Sequence, residues 1–224
     1  MSQVTQKYKH AVVAADIVVF AFSEGKLQTL LIQMTKAPFK GSWAAPGGLV
    51  KPQESVDDSA LRLTKEKASI TPQYIEQVFT FGKVNRDPFG RVVSVAYMAL
   101  LPKLEDKVGT ASGYSDIKWF TANKLPRMAY DHAEVVAKAV ERLQGKLIYT
   151  NIAYSLMPKE FTLTELQNLY EAILGKPLDK RNFRKKILSS GILKNTKKMT
   201  KGNKHRPAEL YTFTNRKLTE TELV

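Results

Sequence analysis

Residues 48–67 contain the most informative pattern of the chain, Gly48-Leu-Val-Lys-Pro-Gln-Glu54 and, seven residues later, Arg62-Leu63-Thr64-Lys65-Glu66-Lys67. Gly47 and Gly48 allow the backbone to turn sharply at this point. Apolar residues then recur at helical spacing, which predicts a helix over about 54–68. The sequence therefore predicts a glycine turn that leads directly into a helix with one charged face.

Strands are predicted on both sides of this turn and helix. Two apolar runs at 11–22 and 27–35 flank Glu24-Gly25, which predicts an antiparallel hairpin. Later runs predict strands at 74–84, 92–101 and 117–120. A helix is expected to begin at Asp131 as its N-cap and to end at Gly145. This order predicts an α/β protein, with an α/β/α sandwich over residues 1–148.

The last third of the chain has a different pattern, which predicts a second and smaller domain over residues 149–224. Residues 146–160 are expected to form a connector. A capping box, Thr162 with Glu165, predicts a helix over 163–174, and Asp179 begins a second helix that runs to about Ser189. A basic hairpin follows, over 192–199 and 210–214. Two helices followed by a hairpin are typical of a winged helix-turn-helix.

Composition limits the class of protein. The chain has 224 residues and no cysteine, which excludes disulfides and thiolate metal sites. The run from Ala11 to Phe22 contains Asp16 and is too short to span a bilayer. We therefore expect a soluble cytoplasmic protein without a signal peptide or a membrane partner.

The positive charge is concentrated near the C-terminus. The net charge is +14, yet residues 1–145 hold 19 Lys and Arg against 14 Asp and Glu. Residues 176–217 hold 14 Lys and Arg against only Asp179 and Glu209. Because this segment is interleaved with apolar residues, it is more typical of a polyanion-binding surface than of a solubilising tail.

The second helix of the predicted winged helix carries many of these cations. Phe183, Ile187 and Leu188 are expected to form the apolar stripe that packs on the preceding helix. Side chains near the start of such a helix reach base edges or phosphates in the major groove of duplex DNA. The residues predicted to contact DNA are Lys180, Arg181, Asn182, Arg184 and Lys185 on the helix and Lys201, Lys204, His205 and Arg206 in the hairpin loop.

The stretch from Gly48 to Ile70 resembles the Nudix box, G-x5-E-x7-R-E-U-x-E-E-x-G-U, where U is aliphatic. Gly48, Glu54, Arg62, Glu66 and Ile70 match this pattern. In the intact motif, three glutamates on one helix face gather magnesium or manganese against a substrate diphosphate.

Three positions depart from the box. Leu63 and Lys67 stand where the motif has glutamates, and Ser69 stands where it has glycine. Leu63 can neither bind a metal nor take a proton, and Lys67 places a cation where a dication would bind. We therefore expect no enzymatic activity, no metal and no cofactor. Lys67 would either reach a ligand phosphate, pair with Glu66, or remain a solvated helix lysine.

The resemblance extends over nearly the whole chain. Trp43-Ala-Ala-Pro-Gly-Gly48, Asn85-Arg-Asp87, Asn182-Phe-Arg184 and Arg206-Pro-Ala-Glu-Leu-Tyr211 are similar to segments of Nudix-related transcriptional regulators of the NrtR type. That family implies homodimers that bind palindromic operator DNA, with ADP-ribose as effector in the NAD-metabolism branch. The residues expected to contact the small-molecule effector are Trp43, Gly47, Gly48, Glu66, Lys67, Arg86 and Asp87.

Three hypotheses follow from these patterns. The first is a repressor that senses ADP-ribose and controls NAD-metabolism genes. The second is a regulator that senses a pentose such as arabinose, because a sister branch shares the Arg86-Asp87-Pro88 turn. The third is an active Nudix hydrolase of a nucleoside diphosphate derivative, with an appended nucleic-acid tether. Leu63 and Lys67 count against the third.

Overall fold

A computed structural model describes residues 10–104, 113–200 and 207–221. The first domain is a mixed sheet with a helix on each face, and the second is a helical unit with a two-stranded hairpin. The elements of the first domain are β1 (Val12–Ser23), β2 (Lys26–Met34), β3 (Trp43–Ala44), β4 (Gly47–Leu49), α1 (Val56–Ala68), β5 (Tyr74–Phe81), β6 (Val92–Leu101), β7 (Tyr114–Thr121) and α2 (His132–Tyr149). The elements of the second are a 3-10 turn (Ile152–Ser155), α3 (Leu163–Leu174), α4 (Lys180–Ser189), β8 (Leu193–Met199) and β9 (Glu209–Phe213).

The two longest apolar strands, β1 and β2, form the predicted antiparallel hairpin and then diverge. Their pairing ends at Val19 and Leu30. Beyond that point β4 pairs with β1 at Ala14–Asp16, and β3 pairs with β2 at Ile32 and Gln33. On its other side β1 pairs in parallel with β6. The short strands β3 and β4, which the sequence patterns did not predict, therefore fill the space where β1 and β2 separate.

Side chains of the central strands alternate between the two faces of the sheet, as the period of a strand requires. Ile17 and Val19 pack with Leu63 of α1 on one face. Val18 and Phe20 pack with α2 on the other. Because β1 and β6 are buried on both faces, they appear in the sequence as nearly continuous apolar runs.

Helix α2 begins after Asp131 as predicted but ends later than predicted. It continues through Gly145 to Tyr149, so the expected stop at Gly145 is wrong. Asp131 occupies the N-cap position, but its side chain makes no capping hydrogen bond. The extra turn is retained because Leu147 is fully buried and Lys146 pairs with Glu76, with Nζ and Oε2 2.8 Å apart. Tertiary packing here outweighs the low helix propensity of glycine.

The connector is part of the core. Residues 152–157 are buried, and their apolar side chains join Phe20 and Leu100 of the sheet in one cluster with Tyr170 and Phe213 of the second domain. The predicted connector over 146–160 is therefore wrong for residues 146–149, which belong to α2, whereas the rest joins the two domains as a segment that is buried over residues 150–157. The predicted domain boundary between residues 148 and 149 stays a prediction.

The winged-helix elements follow the predicted order. The capping box of α3 is formed, since the Thr162 side chain accepts from the Glu165 N–H and the Glu165 carboxylate accepts from the Thr162 N–H. Asp179 caps α4 by accepting from the Asn182 N–H. Phe183 and Ile187 are buried as expected, whereas Leu188 is 45% exposed and does not join the stripe.

Candidate ligand cavity and nucleic-acid surface

A cavity of about 530 Å³ opens where β1 and β2 separate. Its wall includes both box glycines, apolar and aromatic side chains, and four charged groups. The lining includes Asp16, Gly47, Gly48, Arg86, Asp87, Phe89, Arg91, Tyr114, Tyr130 and His132. The cavity therefore offers aromatic surface, peptide groups and cations to a single ligand.

Two carboxylates and a guanidinium form a buried cluster at the cavity, of which Asp16 and Arg86 line the wall. The Arg86 Nε and Nη2 groups donate to the two Asp131 carboxylate oxygens at 2.9 and 2.7 Å. Nη2 also donates to Asp16 Oδ2 at 3.2 Å, and Ser94 Oγ donates to the same oxygen at 2.5 Å. The carboxylates come from β1 and from the N-cap of α2, so the cluster ties a loop, a strand and the start of a helix together. Because the Nε–Nη2 edge of Arg86 is held by Asp131, that edge is not directed at a ligand.

His132 extends this cluster in a defined tautomer. Its Nδ1 accepts a hydrogen bond from the Ala45 N–H at 3.0 Å. The proton of the neutral ring therefore lies on Nε2, which is 3.5 Å from Asp16 Oδ2. The first residue of α2 is thus connected to both the cavity and the turn before Gly47.

The two glycines are required by close packing rather than by positive φ angles. A Cβ atom at Gly47 would lie 2.3 Å from Asp16 Oδ1 and 2.9 Å from the Ala15 carbonyl oxygen. A Cβ atom at Gly48 would lie 3.0 Å from Leu63 Cδ2. The absence of side chains lets β4 lie against β1 on one side and α1 on the other.

The scaffold of the Nudix-like helix is intact. Arg62 donates to both oxygens of Glu54 from Nε at 2.8 Å and from Nη2 at 2.5 Å, and its Nη1 donates to Glu66 at 2.9 Å. The hydrogen bond from Arg62 holds the pKa of Glu54 at about 2, below its ordinary value of 4.5. This clamp fixes the loop before α1 to the face of the helix.

The metal-binding part of that helix is changed in structure as well as in sequence. Leu63 is 2% exposed and belongs to the apolar core. The Lys67 ammonium lies over the Tyr114 ring, 5.0 Å from its centroid. Glu66 pairs with Arg62. Over the described part of the chain, no group of three or more His, Cys, Asp or Glu side chains could hold a metal ion. The residues at this position therefore do not fit the divalent cation that an intact box binds.

The predicted effector residues separate into two groups. Gly47, Gly48, Arg86 and Asp87 line the cavity. Trp43, Glu66 and Lys67 lie outside its lining. Trp43 is buried against Phe120, with ring centroids 4.7 Å apart, and Lys67 contacts the lining residue Tyr114. Ligand contact by these residues stays a prediction.

Sequence reasoning missed Asp16, His132 and the aromatic lining. Asp16 gave one usable signal, because a carboxylate inside an apolar strand is rarely buried without a partner. His132 and Tyr130 gave none, because they meet Asp16 only through long-range folding.

The predicted DNA-contacting surface of α4 is open to solvent at four of its five residues. Lys180, Arg181, Asn182 and Lys185 are exposed. Arg184 is half-buried, and its Nη2 donates to Thr164 Oγ1 of α3 at 3.3 Å. Arg184 therefore also helps to pack the two helices. Lys201, Lys204, His205 and Arg206 lie outside the described residues.

Comparison with known proteins matches both domains. Residues 10–142 match the NUDIX domain, and residues 153–213 match the NrtR DNA-binding winged helix domain. The ADPR responsive transcriptional repressor NtrR of Acinetobacter baylyi is 39% identical over 211 residues, which cover 92% of this chain and 83% of that protein. No described helix is long and apolar enough to cross a membrane.

Two solved structures of a relative extend the match. NrtR of Shewanella oneidensis in complex with a 27mer DNA is 32% identical, with a TM-score of 0.75, and the match covers 90% of this chain and 93% of that one. The Nudix domain of the same protein in complex with ADP ribose is 34% identical, with a TM-score of 0.55, over 61% of this chain and 90% of that one. The fold, both domain matches and the full-length similarity agree, and the chain belongs to the NrtR family of Nudix proteins with a C-terminal winged-helix domain.

Proposed function

We propose that this protein is a transcriptional repressor that binds operator DNA through its winged helix and releases it when ADP-ribose occupies the Nudix cavity. The observation that carries the proposal is the combination of an intact Glu54–Arg62 clamp beside a cavity of about 530 Å³ with the loss of carboxylates at Leu63 and Lys67. Its support is the similarity to an ADPR-responsive repressor and to NrtR structures solved with DNA and with ADP ribose.

The cavity chemistry suits a nucleoside diphosphate sugar better than a free pentose. Phe89, Tyr114 and Tyr130 supply surface for an adenine ring, and Arg91 supplies a cation at the same cavity. A pentose would leave most of this aromatic surface without a partner. The pentose-responsive alternative is therefore the weaker one, and it is tested below.

Hydrolysis is disfavoured because α1 offers too few metal-coordinating oxygens and because it carries a positive charge where the metal would bind. A divalent cation needs several anionic oxygens, and α1 offers a buried leucine and an ammonium where two of them would lie. Without the metal, neither the diphosphate nor an attacking water is activated. The ligand would then bind and leave unchanged, as a sensor requires.

Helix α2 connects the cavity to the DNA-binding domain. It begins at His132 in the cavity wall and continues to Tyr149. Along its length the Gln144 side-chain N–H donates to the Ile173 carbonyl of α3 at 2.8 Å. A ligand that shifts His132 or Asp131 would therefore displace a helix that contacts the winged helix, which gives the two sites a physical route for coupling.

We further propose that the protein acts in the cytoplasm as a homodimer on palindromic operators upstream of NAD-metabolism genes. Two winged helices related by a two-fold axis would read half-sites about one helical turn apart. One winged helix alone contacts only a few base pairs.

The test combines DNA binding with ligand identity. Duplexes from the upstream regions of NAD-metabolism genes in the source genome are titrated with the protein, in the presence of ADP-ribose, arabinose or neither. ADP-ribose is expected to weaken binding to at least one duplex, while arabinose has no effect. Release by arabinose alone would favour the sugar-responsive alternative, and no binding to any of these duplexes would contradict the proposed gene set.

The role of Lys67 is tested with a matched neighbour. Lys67→Met is expected to weaken ADP-ribose binding several-fold, because it removes a cation that lies on a lining aromatic ring. Lys65→Met, on the exposed side of the same helical turn, is the control and should leave the affinity unchanged. Equal affinities of all three proteins would show that Lys67 has no role in ligand binding.

A further inference from the structure

We propose that Lys197, at the centre of a bulge in β8, is a phosphate contact for duplex DNA, separate from α4 and from the hairpin loop. The bulge comprises residues 196–198. The inference rests on the proposed DNA-binding function and adds a contact that neither α4 nor the loop residues supply.

The bulge is defined by the register of the hairpin. Asn195 pairs with Tyr211 and Met199 pairs with Glu209. Three residues of β8 therefore lie opposite the single residue Leu210 of β9. An insertion of this kind bends a strand and redirects its side chains, and bulges commonly occur where a side chain must be aimed.

The side chains of Asn195 and Thr196 hold the bulge in one conformation. Asn195 Oδ1 accepts from the Lys197 N–H at 2.7 Å. Thr196 Oγ1 donates to the Leu210 carbonyl at 2.8 Å and accepts from the Lys198 N–H at 3.3 Å. Backbone groups that have no partner across the hairpin thus form hydrogen bonds with nearby side chains. These bonds stabilise the bulge in a defined conformation.

Lys197 has a backbone conformation that disfavours its own side chain. Its φ is 62°, in the left-handed region where glycine is the preferred residue. Glycine would adopt this conformation with less strain than lysine. Backbone stability therefore does not account for a lysine at position 197, and the property to consider is its charge.

The charge of Lys197 is free to bind an anion. Lys197 is exposed and, within the ranges that the structure describes, forms no ion pair. Its neighbour Lys198 is instead tied to Glu160, with Nζ and Oε1 2.6 Å apart. The nearest acidic residue of β9, Glu209, accepts a hydrogen bond from the Tyr211 hydroxyl at 2.7 Å.

The hairpin that carries the bulge shares an apolar cluster with α4. β8 begins soon after α4 ends, and the base of the bulge, Asn195, pairs with Tyr211. Tyr211 in turn belongs to the apolar cluster that contains Phe183 and Ile187 of α4. A duplex that contacts the start of α4 would therefore present its backbone near Lys197. A lysine there neutralises phosphate without reading sequence.

The experiment measures the salt dependence of duplex binding. The full chain and its variants are titrated by fluorescence anisotropy with a labelled mixed-sequence duplex over a range of salt concentrations. Lys197→Gly removes the charge and relieves the left-handed backbone. Lys197→Arg keeps the charge, Lys65→Ala removes a lysine remote from the hairpin, and Glu24→Gly relieves another left-handed residue, with φ 51°.

If Lys197 contacts a phosphate, Lys197→Gly lowers the slope of log K against log salt by about 0.9 per protomer. Its affinity deficit then shrinks about 3.5-fold between about 50 and 200 mM salt. Its melting temperature should equal or exceed that of the parent, which excludes misfolding as the cause. Lys197→Arg, Lys65→Ala and Glu24→Gly should keep the parent slope.

Two outcomes would overturn the inference. One of them would also contradict the proposed DNA-binding function. If the parent protein binds the duplex and Lys197→Gly has the same slope, only the Lys197 contact is contradicted. If the parent protein binds no duplex even at low salt, both the contact and the proposed DNA-binding function are contradicted.

Discussion

The side chain of Leu63 packs directly on the backbone of Gly48: a Cβ atom at position 48 would lie 3.0 Å from Leu63 Cδ2. In an intact box, position 63 would carry a carboxylate that faces a metal. Here it carries a leucine side chain, whose Cδ2 methyl group fills the space beside the glycine turn. The change from ligand to packing residue is therefore built into the contact between β4 and α1.

The first prediction concerns this contact. Leu63→Glu should lower the free energy of unfolding by roughly 3 kcal/mol, because a carboxylate would be buried without a partner. Leu63→Met should cost less than about 1.5 kcal/mol. Leu61→Glu places the same group at a position that is 48% exposed and should be nearly neutral. Urea denaturation measures all three, and equal losses for Leu63→Glu and Leu61→Glu would show that position 63 is not part of the core.

The second prediction concerns the glycine turn. Gly47→Ala should destabilise the protein by about 1–3 kcal/mol, because its Cβ would lie 2.9 Å from the Ala15 carbonyl oxygen. Gly82→Ala is the control, since nothing lies within 4 Å of a Cβ there. Thermal denaturation should separate the two variants, and a Gly47→Ala protein as stable as Gly82→Ala would mean that β4 can move away from β1.

The third prediction concerns the buried charge cluster. Arg86→Met should cost about 3–5 kcal/mol, because it leaves Asp16 and Asp131 buried without their cation. The double variant Arg86→Met with Asp131→Asn should recover part of this loss, because one uncompensated charge is removed. Additive losses in a double-mutant cycle would contradict direct coupling between the two residues.

The fourth prediction concerns pH. The hydrogen bond from Arg62 lowers the folded-state pKa of Glu54 to about 2 from 4.5. The stability from this pair is therefore fully present above about pH 4.5 and is lost as the pH falls towards 2. Glu54→Gln should flatten the dependence of stability on pH within this window. Acid titrations of the parent and Glu54→Gln with the same slope there would contradict the role of the pair.

The sequence predicted what depends on local pattern. The helix over 54–68, the capping box at Thr162 and Glu165, and the cap at Asp179 all follow from short-range spacing, and the structure contains each of them. The strands β1, β2 and β6 follow from apolar runs that are buried on one or both faces. The predicted strand β5 is also present, although Phe81 is its only buried residue.

The features that the sequence did not predict depend on distant partners. Arg86 meets Asp131 across 45 residues and Asp16 across 70. Asp131 therefore occupies the predicted N-cap position, but its carboxylate accepts from Arg86 instead of capping the helix. Helix α2 continues past Gly145 because Leu147 and Lys146 find their contacts elsewhere in the fold. The helix and strand propensities of neighbouring residues cannot predict contacts between residues that are far apart in the sequence.

We expect the Nudix domain to bind ADP-ribose without cleaving it. The most direct measurement is calorimetric titration of the protein with ADP-ribose in the presence of magnesium or manganese, followed by mass analysis of the recovered ligand. We predict saturable binding with the ligand recovered intact. Conversion to AMP and ribose phosphate at an ordinary enzymic rate, or no binding at all, would contradict the account.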